Sequence, residues 1–353
     1  MDSLFLDRPP EAAVADSWWA FLRRVEFPTH HVSPEYLLEP GGKDKGFMAI
    51  LAMDQDRVLG VLTGATYRGQ VGCGLETRPQ FACDRDSDPD AVAGVLVSAL
   101  VKRVSRVGLL TVHTWQPLAA LRRLGFRELL QPDALVMLDL TKGPDQLLKE
   151  MAGTRRTDIR KAIKNGVEVR EATTREDILA HYRIRDDWAT RKHLPFVSYG
   201  AEETLEQRAH GRRIFVAVHE GQIIASSVVR FAKGGIVEYT SNSSVRDKMI
   251  LKPNDLLQWR IVEWACREGF TRYSLAGAHP FLRKFGGELI ATYRYRLDRT
   301  FLRRHDARER LAGWGRRAFR AMPLRVQSAV RTALRRDAAR PSGSDRRETE
   351  KQG

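Results

Sequence analysis

Leu121-Arg122-Arg123-Leu124-Gly125 and Leu282-Arg283-Lys284-Phe285-Gly286 are two copies of one pattern, one in each half of the chain. In both, a leucine and two basic residues are followed by an apolar residue and a glycine. Glycine after such a run is typical of a helix end, because it readily adopts the left-handed conformation that terminates helices. The same helix end in both halves indicates an internal duplication.

The elements around these stretches also follow one order in both halves. Two strand-like segments joined by a polar turn precede an amphipathic helix and a short strand. Asp88-Pro89 predicts the start of the first helix, and Asn254 is the predicted cap of the second. This alternation predicts an α/β fold. The predicted segments are Phe47–Met53, Val58–Tyr67, Ala91–Val107, Leu109–His113 and Leu135–Leu138, then Phe215–His219, Ile223–Phe231, Ile236–Tyr239, Leu257–Ala265 and Tyr273–Leu275.

A helical hairpin is predicted between the halves, over residues 144–166. Its second helix places Arg156, Arg160 and Lys164 at i, i+4 and i+8, on one face. Two interpretations stay open for this face. It is either a solvated surface or a ridge that binds phosphate groups of a substrate.

The basic charge of the chain is concentrated at its C-terminal end. The 353 residues include 59 Lys and Arg against 44 Asp and Glu, a net charge of +15. Residues 301–353 contribute +9 of it and the first 300 residues +6. Residues 301–336 show apolar residues at helical spacing among arginines, which predicts basic amphipathic helices that lie either on an anionic membrane surface or on the body of the protein. Residues 337–353 are predicted to be disordered.

Several classes of protein are disfavoured by composition. No apolar run approaches the roughly 20 residues that span a bilayer. The first residues include acidic residues and prolines where a secretory signal would be basic and then apolar, so a cytoplasmic location is expected. The three cysteines, Cys73, Cys83 and Cys266, do not have the spacing of a disulfide framework or a zinc site. We expect no metal and no bound cofactor.

The second half carries the strongest resemblance to a known family. Ala120-Leu121-Arg122-Arg123-Leu124-Gly125-Phe126 is similar to the end of a GNAT domain. Residues 155–162, 257–265, 273–277 and 284–286 resemble the FemABX family, and BioF2-like relatives, in content and order. The resemblance covers roughly residues 30 to 300.

The resemblance implies a fold of tandem, duplicated GNAT (acyl-CoA N-acyltransferase-like) domains with a C-terminal amphipathic helical tail. The implied N-terminal domain is residues 1–140, and the C-terminal domain is residues 141–300 including the hairpin. Members of the FemABX family transfer an aminoacyl group from aminoacyl-tRNA to an amine of a lipid-linked peptidoglycan precursor. Two positions depart from the family pattern, because Leu282 stands where a phosphate-binding lysine is usual and Ser274 where an aspartate is usual. These departures suggest a changed substrate.

The resemblance also selects site residues in a cleft between the domains. Arg191, Tyr199, Arg283 and Lys284 are the implied substrate ligands. The ridge residues Arg156, Arg160 and Lys164, which rest on helical spacing alone, are further candidates. Arginine and lysine would bind phosphate, and a tyrosine hydroxyl would orient the amine or the carbonyl. The alternative for each is a solvated cation or a packed tyrosine.

Candidate catalytic residues lie near the presumed central strand of the second half. Glu238 and His279 are candidate proton acceptors, and Tyr239 is a candidate for orienting the reactants. His279 precedes Pro280, so a helix cap is the alternative for it. The loops at 78–83 and 245–253 lack the glycine-rich turn that binds CoA pyrophosphate, although Arg246, Lys248 and Lys252 could bind an anion. The glycines at 69–74 are attributed to close backbone packing.

Three functions remain open at this point. The first is an acyltransferase that moves an aminoacyl or acyl group onto an amine of a peptidoglycan-type cell-envelope precursor, held at the inner face of the plasma membrane by residues 301–336. The second is an N-acetyltransferase that uses acyl-CoA and acts on an amino sugar or amino acid. The third is a non-catalytic protein that binds RNA or anionic lipid. In the first two, aminoacyl-tRNA or acyl-CoA is a donor substrate.

Overall fold

The chain divides into two compact units, Met1–Leu297 and Asp298–Gly353. A computed structural model describes residues 1–40, 45–75, 77–129, 133–194 and 198–321. The first unit contains both halves of the predicted duplication. The predicted disorder at 337–353 and the tail beyond residue 321 lie outside the described residues.

The strands of the first unit form one long sheet with the order β1-β2-β3-β4-β7-β15-β9-β14-β13-β12-β11-β10, and the short strands β5, β6 and β8 pair at its side. The strands are β1 (Asp2–Leu6), β2 (Lys45–Asp54), β3 (Arg57–Tyr67), β4 (Gln70–Leu75), β5 (Arg78–Pro79), β6 (Phe81–Cys83), β7 (Leu109–Thr114), β8 (Arg127–Glu128), β9 (Asp133–Asp139), β10 (Glu168–Glu171), β11 (Arg212–His219), β12 (Gln222–Phe231), β13 (Val237–Ser244), β14 (Arg272–Ser274) and β15 (Glu288–Asp298).

The helices that begin before residue 297 cover this sheet and connect its strands, and one further helix belongs to the second unit. The helices are α1 (Ala12–Leu22), α2 (Pro89–Arg103), α3 (Ala119–Arg123), α4 (Gly143–Glu150), α5 (Gly153–Lys164), α6 (Arg175–Arg191), α7 (Ala201–Glu206), α8 (Pro253–Arg267), α9 (Pro280–Arg283) and α10 (Arg304–Ala321). Helices α4 and α5 form the predicted hairpin.

The predicted elements of the first half are present. Strands β2 and β3 pair as an antiparallel hairpin, and α2 places Val92, Leu96 and Leu100 in a core against them. The side chain of Asp88 accepts a hydrogen bond from the backbone N–H of Asp90, so the predicted helix cap is confirmed. Ala49, Leu51 and Val61 pack on the opposite face of the hairpin against α1, so both of its faces are buried.

Close packing, predicted for the glycines at 69–74, is found at Gly74 but not at Gly69, which has no atom within 4 Å of a β-carbon position. Gly74 has a φ of +142°, and a β-carbon at this position would lie 2.4 Å from the ring of His113 on the neighbouring strand β7. The stretch lies within β4, which pairs in parallel with β7. A side chain at residue 74 would therefore force the two strands apart.

In the second half, the predicted helix is present but its predicted cap is wrong. Helix α8 begins at Pro253, and the N-cap residue is Lys252 in the left-handed conformation, with φ at 60°. The side chain of Asn254 is engaged elsewhere, because its Nδ2 donates a hydrogen bond to Ser244 Oγ at 3.2 Å. Helix α8 buries Leu257, Ile261 and its neighbours against β11, β12 and β13.

The two halves exchange their last strands. Strand β9, which closes the first half in sequence, pairs with β14 of the second half, and Val136 and Leu138 belong to the second core. Strand β15 pairs with β9 over its first residues and with β8 of the first half over its later ones. Tyr295 of β15 is completely buried in the first core, and its hydroxyl accepts a hydrogen bond from the N–H of Leu118 at 3.0 Å. Each core is thus completed by a strand of the other half.

The second unit is described from Asp298 to Ala321 and contains α10. The carboxylate of Asp298 accepts hydrogen bonds from the N–H groups of His305 and Asp306 at 2.9 and 3.0 Å, so it caps the start of the helix. Leu311 and Trp314 lie on α10 and are 73% and 74% exposed. This helix confirms part of the predicted amphipathic tail.

Candidate functional site

Two neighbouring strands of the second half separate at the centre of the sheet. Strands β13 and β14 pair in parallel only at Val237 with Tyr273 and at Glu238 with Ser274. Strand β13 continues to Ser244, and a bulge at Thr240 changes its direction. The separation opens a cleft at the carboxyl end of the pair, where ligands of α/β sheets commonly bind.

The cleft has a volume of about 630 Å³ and a polar, cationic lining. Helix α6 contributes Trp188, Arg191 and Lys192, which lie on one face because they are spaced i, i+3 and i+4. The other lining residues come from β13, the segment before α8, and the start of α9. They are Tyr239, Asn242, Ser243, Ser244, Arg246, Met249, Asn254, His279 and Phe281. Three cations in one cleft suit a phosphorylated ligand.

Three of the predicted site residues meet in this cleft. Arg191 donates to the carbonyl of Ser244 at 3.1 Å and forms an ion pair with Asp187 at 2.9 Å, which holds its guanidinium at the cleft wall. Tyr239 enters from β13. His279 occupies the N-cap position of α9 but makes no side-chain capping hydrogen bond, so capping does not occupy its ring. The imidazole stacks with Phe281, with ring centroids 6.0 Å apart.

Glu238 lies beneath the cleft rather than in its lining. Neighbouring residues of a strand point to opposite faces, so Glu238 and Tyr239 diverge. Glu238 is 2% exposed and accepts a hydrogen bond from His31 Nδ1 at 2.9 Å. Burial raises the pKa of Glu238, but the neighbouring His31 and Arg78 outweigh burial and hold this pKa below its ordinary value. Its carboxylate is therefore ionised.

The first half supplies two residues at this point that the sequence did not predict. One is His31, whose carbonyl accepts a hydrogen bond from Thr63 Oγ1. The other is Arg78, whose guanidinium donates to the carbonyls of Tyr239 and Thr240 at 2.9 and 3.2 Å. Because these carbonyls flank the bulge, Arg78 fixes the backbone where β13 leaves β14. Neither residue has a local motif that could have identified it.

The remaining residues implied by the resemblance lie outside the cleft lining. Tyr199 packs against a small core formed by α6, β11 and β12. The Nε of Arg283 donates to the carbonyl of Ala278 at 2.6 Å, so it supports the turn that carries His279. Lys284 is exposed at the end of α9, and Leu282 is buried in the second core. The site roles of these residues stay predictions.

The basic ridge of the hairpin is only partly a free surface. Arg156 donates to the carbonyls of Lys149 and Met151 at 2.8 and 2.6 Å, so it caps the end of α4. Arg160 and Lys164 are exposed on α5. Arg155, in the first turn of α5, forms a buried ion pair with Asp255 of α8.

The two loops considered for pyrophosphate binding adopt other structures. Residues 78–83 include the short strands β5 and β6, which pair with β4 and β3. Residues Arg246–Leu251 form a short 3-10 helix before α8. Arg246 lines the cleft, and Lys252 forms an ion pair with Asp158 at 3.4 Å.

Between residues 1 and 321, apart from the short gaps, no helix has the length and apolar character needed to cross a membrane. Over the same ranges, no three His, Cys, Asp or Glu side chains are grouped as metal ligands would be.

Comparison with protein families identifies the second half. Residues 153–295 match the family model of the acetyltransferase (GNAT) domain. Among curated proteins, none matches the chain significantly.

Several solved structures share the fold. FemX is 13% identical with a TM-score of 0.62, and the match covers 84% of this chain and 98% of that one. A tandem GNAT protein from the clavulanic acid biosynthesis pathway is 13% identical with a TM-score of 0.55, over 85% of this chain and 99% of that one. L-PGS from Bacillus licheniformis is 12% identical with a TM-score of 0.53, over 84% and 93%.

These matches confirm the predicted fold and the predicted enzyme class. At 12–13% identity the structural likeness concerns the fold alone. The enzyme class follows from the family match, which includes β13, β14 and the cleft between them. Residues 153–295 therefore match an acetyltransferase (GNAT) domain, and the chain shares the fold of a solved tandem GNAT protein.

Proposed function

We propose that the protein transfers an aminoacyl group from aminoacyl-tRNA, or another acyl group, onto an amine of a cell-envelope precursor of the peptidoglycan type. The observation that supports this most is the cleft at the separation of β13 and β14, lined by Arg191, Lys192 and Arg246. Cations at a cleft of this volume suit a donor and an acceptor that both carry phosphate. The resemblance of the second half to the FemABX family supports the aminoacyl donor.

The reaction requires a neutral amine and a proton acceptor. The amine nitrogen attacks the carbonyl carbon of the donor, and a C–N bond forms. The ester bond to the tRNA oxygen, or the thioester bond to the CoA sulfur, then breaks. We propose that His279 accepts the proton of the amine, because its ring lies in the cleft and does not cap α9. Tyr239 can donate a hydrogen bond to the developing oxyanion, and the released oxygen or sulfur takes up a proton.

Glu238 serves this site indirectly in our proposal. Its ionised carboxylate is held by His31 below the separation point. The contact between Glu238 and His31 fixes β13 against the first half, so the strand that places Tyr239 in the cleft is held rigidly. Glu238 is thus proposed as a positioning residue in place of a proton acceptor.

Acyl-CoA is the second donor to consider. The match to an acetyltransferase domain favours it. The absence of a glycine-rich turn from residues 78–83 and 245–253 disfavours it.

A donor screen by mass spectrometry tests the proposal. The protein is incubated with a short amine-bearing peptidoglycan peptide precursor and with either charged tRNAs or acyl-CoAs. A mass gain with charged tRNA is the expected result. A gain with acyl-CoA alone would assign the second donor, and no gain with either would favour a non-catalytic RNA- or lipid-binding protein.

Two substitutions in the cleft test the assigned roles. His279→Ala is expected to lower kcat by about 10²–10⁴-fold, because general base catalysis contributes about that much. Tyr239→Phe is expected to lower kcat with little change in KM. His219→Gln, at the far end of β11, is the matched control and should retain full activity. Retained activity in His279→Ala would remove this residue from the mechanism.

We also propose that the tail holds the enzyme at the inner face of the plasma membrane. The exposed Leu311 and Trp314 on α10, among its arginines, support this. A basic helix with exposed apolar residues suits an anionic lipid surface.

A further inference from the structure

Two arginines face each other in the interior of the second half, away from the cleft lining. Arg212 of β11 and Arg230 of β12 are direct cross-strand partners. They are 6% and 7% exposed. Like charges placed directly opposite each other on a sheet are destabilising, and burial increases the cost because water no longer screens them.

One carboxylate accompanies this pair. Glu39 forms an ion pair with Arg230 and accepts a hydrogen bond from His30 Nε2 at 2.7 Å. Burial lowers the pKa of His30, so its neutral ring adds no charge. Within the described ranges, Glu39 is therefore the one carboxylate that pairs with either of these two buried guanidinium groups.

Several of the guanidinium N–H groups lack an acceptor. Among the residues that the structure describes, Nε and Nη1 of Arg212 and Nη1 of Arg230 are buried without a hydrogen-bond partner. Arg212 also forms no ion pair within those ranges. A buried charged donor left unpaired costs more than a neutral one, so such groups in a native protein point to a missing acceptor.

The surroundings extend the positive field toward the surface. Burial, and after it the positive charge of Arg212, lowers the pKa of Arg185 on α6. The charge of Arg212 also acts on Tyr199. Arg185 and Tyr199 are only partly buried, which leaves an approach from solvent. Guanidinium forks and a tyrosine hydroxyl are the groups that bind oxyanions in proteins.

We propose that Arg212 and Arg230 form an oxyanion site that binds a phosphate or carboxylate group of a ligand, with Arg185 and Tyr199 at its entrance. The oxygens of the anion accept hydrogen bonds from the unpaired N–H groups of Arg212 and Arg230. Its negative charge neutralises the excess positive charge of the two arginines. The site is separate from the cleft at β13 and β14, because none of these four residues lines that cleft.

Anion titration of the full-length protein tests the proposal. Phosphate, sulfate and acetate are added at constant ionic strength, and binding is followed by calorimetry and by the shift in Tm. Saturable binding of at least one anion is expected, and the one that binds identifies the chemistry. Saturation by none of the three would overturn the proposal.

A pair of variants locates the binding. Arg212→Met is expected to weaken anion binding by about tenfold or more, because it removes a charge-assisted interaction. Arg183→Met, at an exposed position on α6, is the matched control and should bind as the wild type does. Anion binding that is unchanged in Arg212→Met would contradict the assignment.

The same variant separates a ligand site from a structural charge. In buffer without phosphate, sulfate or carboxylate, Arg212→Met should be at least as stable as the wild type, because it removes a buried charge repulsion. A large loss of Tm in that buffer would show that Arg212 supports the fold and would overturn the proposal. Since binding is the readout, the result does not depend on the donor screen.

Discussion

Asp177 lies in the first turn of α6, the helix that carries Arg191, and stabilises the start of that helix. Both of its oxygens bind Arg170 at 2.7 Å, and the N–H of Thr173 donates to it at 3.1 Å. Thr174 and Asp177 form a capping box at the start of α6. The hydrogen bonds from Arg170 are the main cause that lowers the pKa of Asp177 to about 2.

Asp177→Asn is expected to lower the free energy of unfolding by about 2 kcal/mol at pH 7. The folded-state pKa is lowered, so the stabilisation is present above the unfolded pKa of about 4 and is lost as the pH falls toward 2. Urea denaturation at pH 7 and pH 3 should show the difference between wild type and variant shrinking at the lower pH. Glu202→Gln, which breaks an exposed pair with Arg175, should leave the free energy of unfolding close to that of the wild type, because solvent screens this pair. A pH-independent difference would contradict this account.

Arg155 is expected to be a structural cation. It pairs with Asp255, and its guanidinium lies 4.0 Å from the ring centre of Phe281. Arg155→Met should lower the free energy of unfolding by about 3–5 kcal/mol, because Asp255 would be left buried and unpaired. The double variant with Asp255→Leu should recover much of this loss. Chemical denaturation of the single and double variants measures the coupling, and an additive result would exclude it.

At this scale the sequence predicted part of the site. Arg191, which the resemblance to the FemABX family selected, lines one cleft together with Tyr239 and His279, which were selected near the presumed central strand. The partner of Glu238 could not be predicted, because His31 lies 207 residues away and only the packing of the two halves brings it close. Arg78 was unpredictable for the same reason.

At the scale of elements, hydrophobic periodicity predicted most strands and helices. Strands β2, β3, β11 and β12 could be identified as runs of β-prone residues on either side of a polar turn, and the middle residues of each run are buried in succession. Helix α6 was not predicted, because its buried face includes Asp177, His181 and Tyr182, so no continuous apolar stripe identifies it. The cap of α8 was misassigned because Lys252 adopts a left-handed conformation that its residue type does not indicate.

Helix α10 is expected to bind anionic membranes. The variant Leu311→Ser/Trp314→Ser should lose most binding to vesicles that contain phosphatidylglycerol, because it removes the exposed apolar side chains. Leu289→Ser, which removes an exposed leucine from the first unit, is the control and should bind normally. Vesicle co-sedimentation at low and high salt measures the effect. Equal binding by the double variant would exclude lipid insertion by α10.

At the scale of the whole molecule, the duplication could be predicted and the strand exchange could not. Repeated element order reveals two similar halves, and the proposed division at residue 140 rests on it. Pairing between distant strands leaves no periodic signal in a single sequence. A repeat pattern is equally compatible with two halves that each close their own sheet.

Residues 141–300 expressed alone are expected not to fold cooperatively. This fragment lacks β9, so the second core loses Val136 and Leu138, and Tyr295 has no core to enter. Each lost core side chain costs about 2–5 kcal/mol, which exceeds the stability of most domains when several are lost. Thermal melting followed by circular dichroism compares the fragment with the full chain. A sharp, two-state melt of the fragment would contradict the dependence on β9.

The position of β15 at the end of the second half also determines when the first half can complete its sheet during synthesis. The sheet of the first half has a place for Tyr293–Leu297, yet these residues are translated after the whole second half. Synthesis proceeds at about 5–20 residues per second, so β15 becomes available to pair with β7 and β8 only about 10–30 s after these two strands have been made. During that time their edges can pair with other nascent chains, so chaperone demand in this protein should concentrate on the half that is made first.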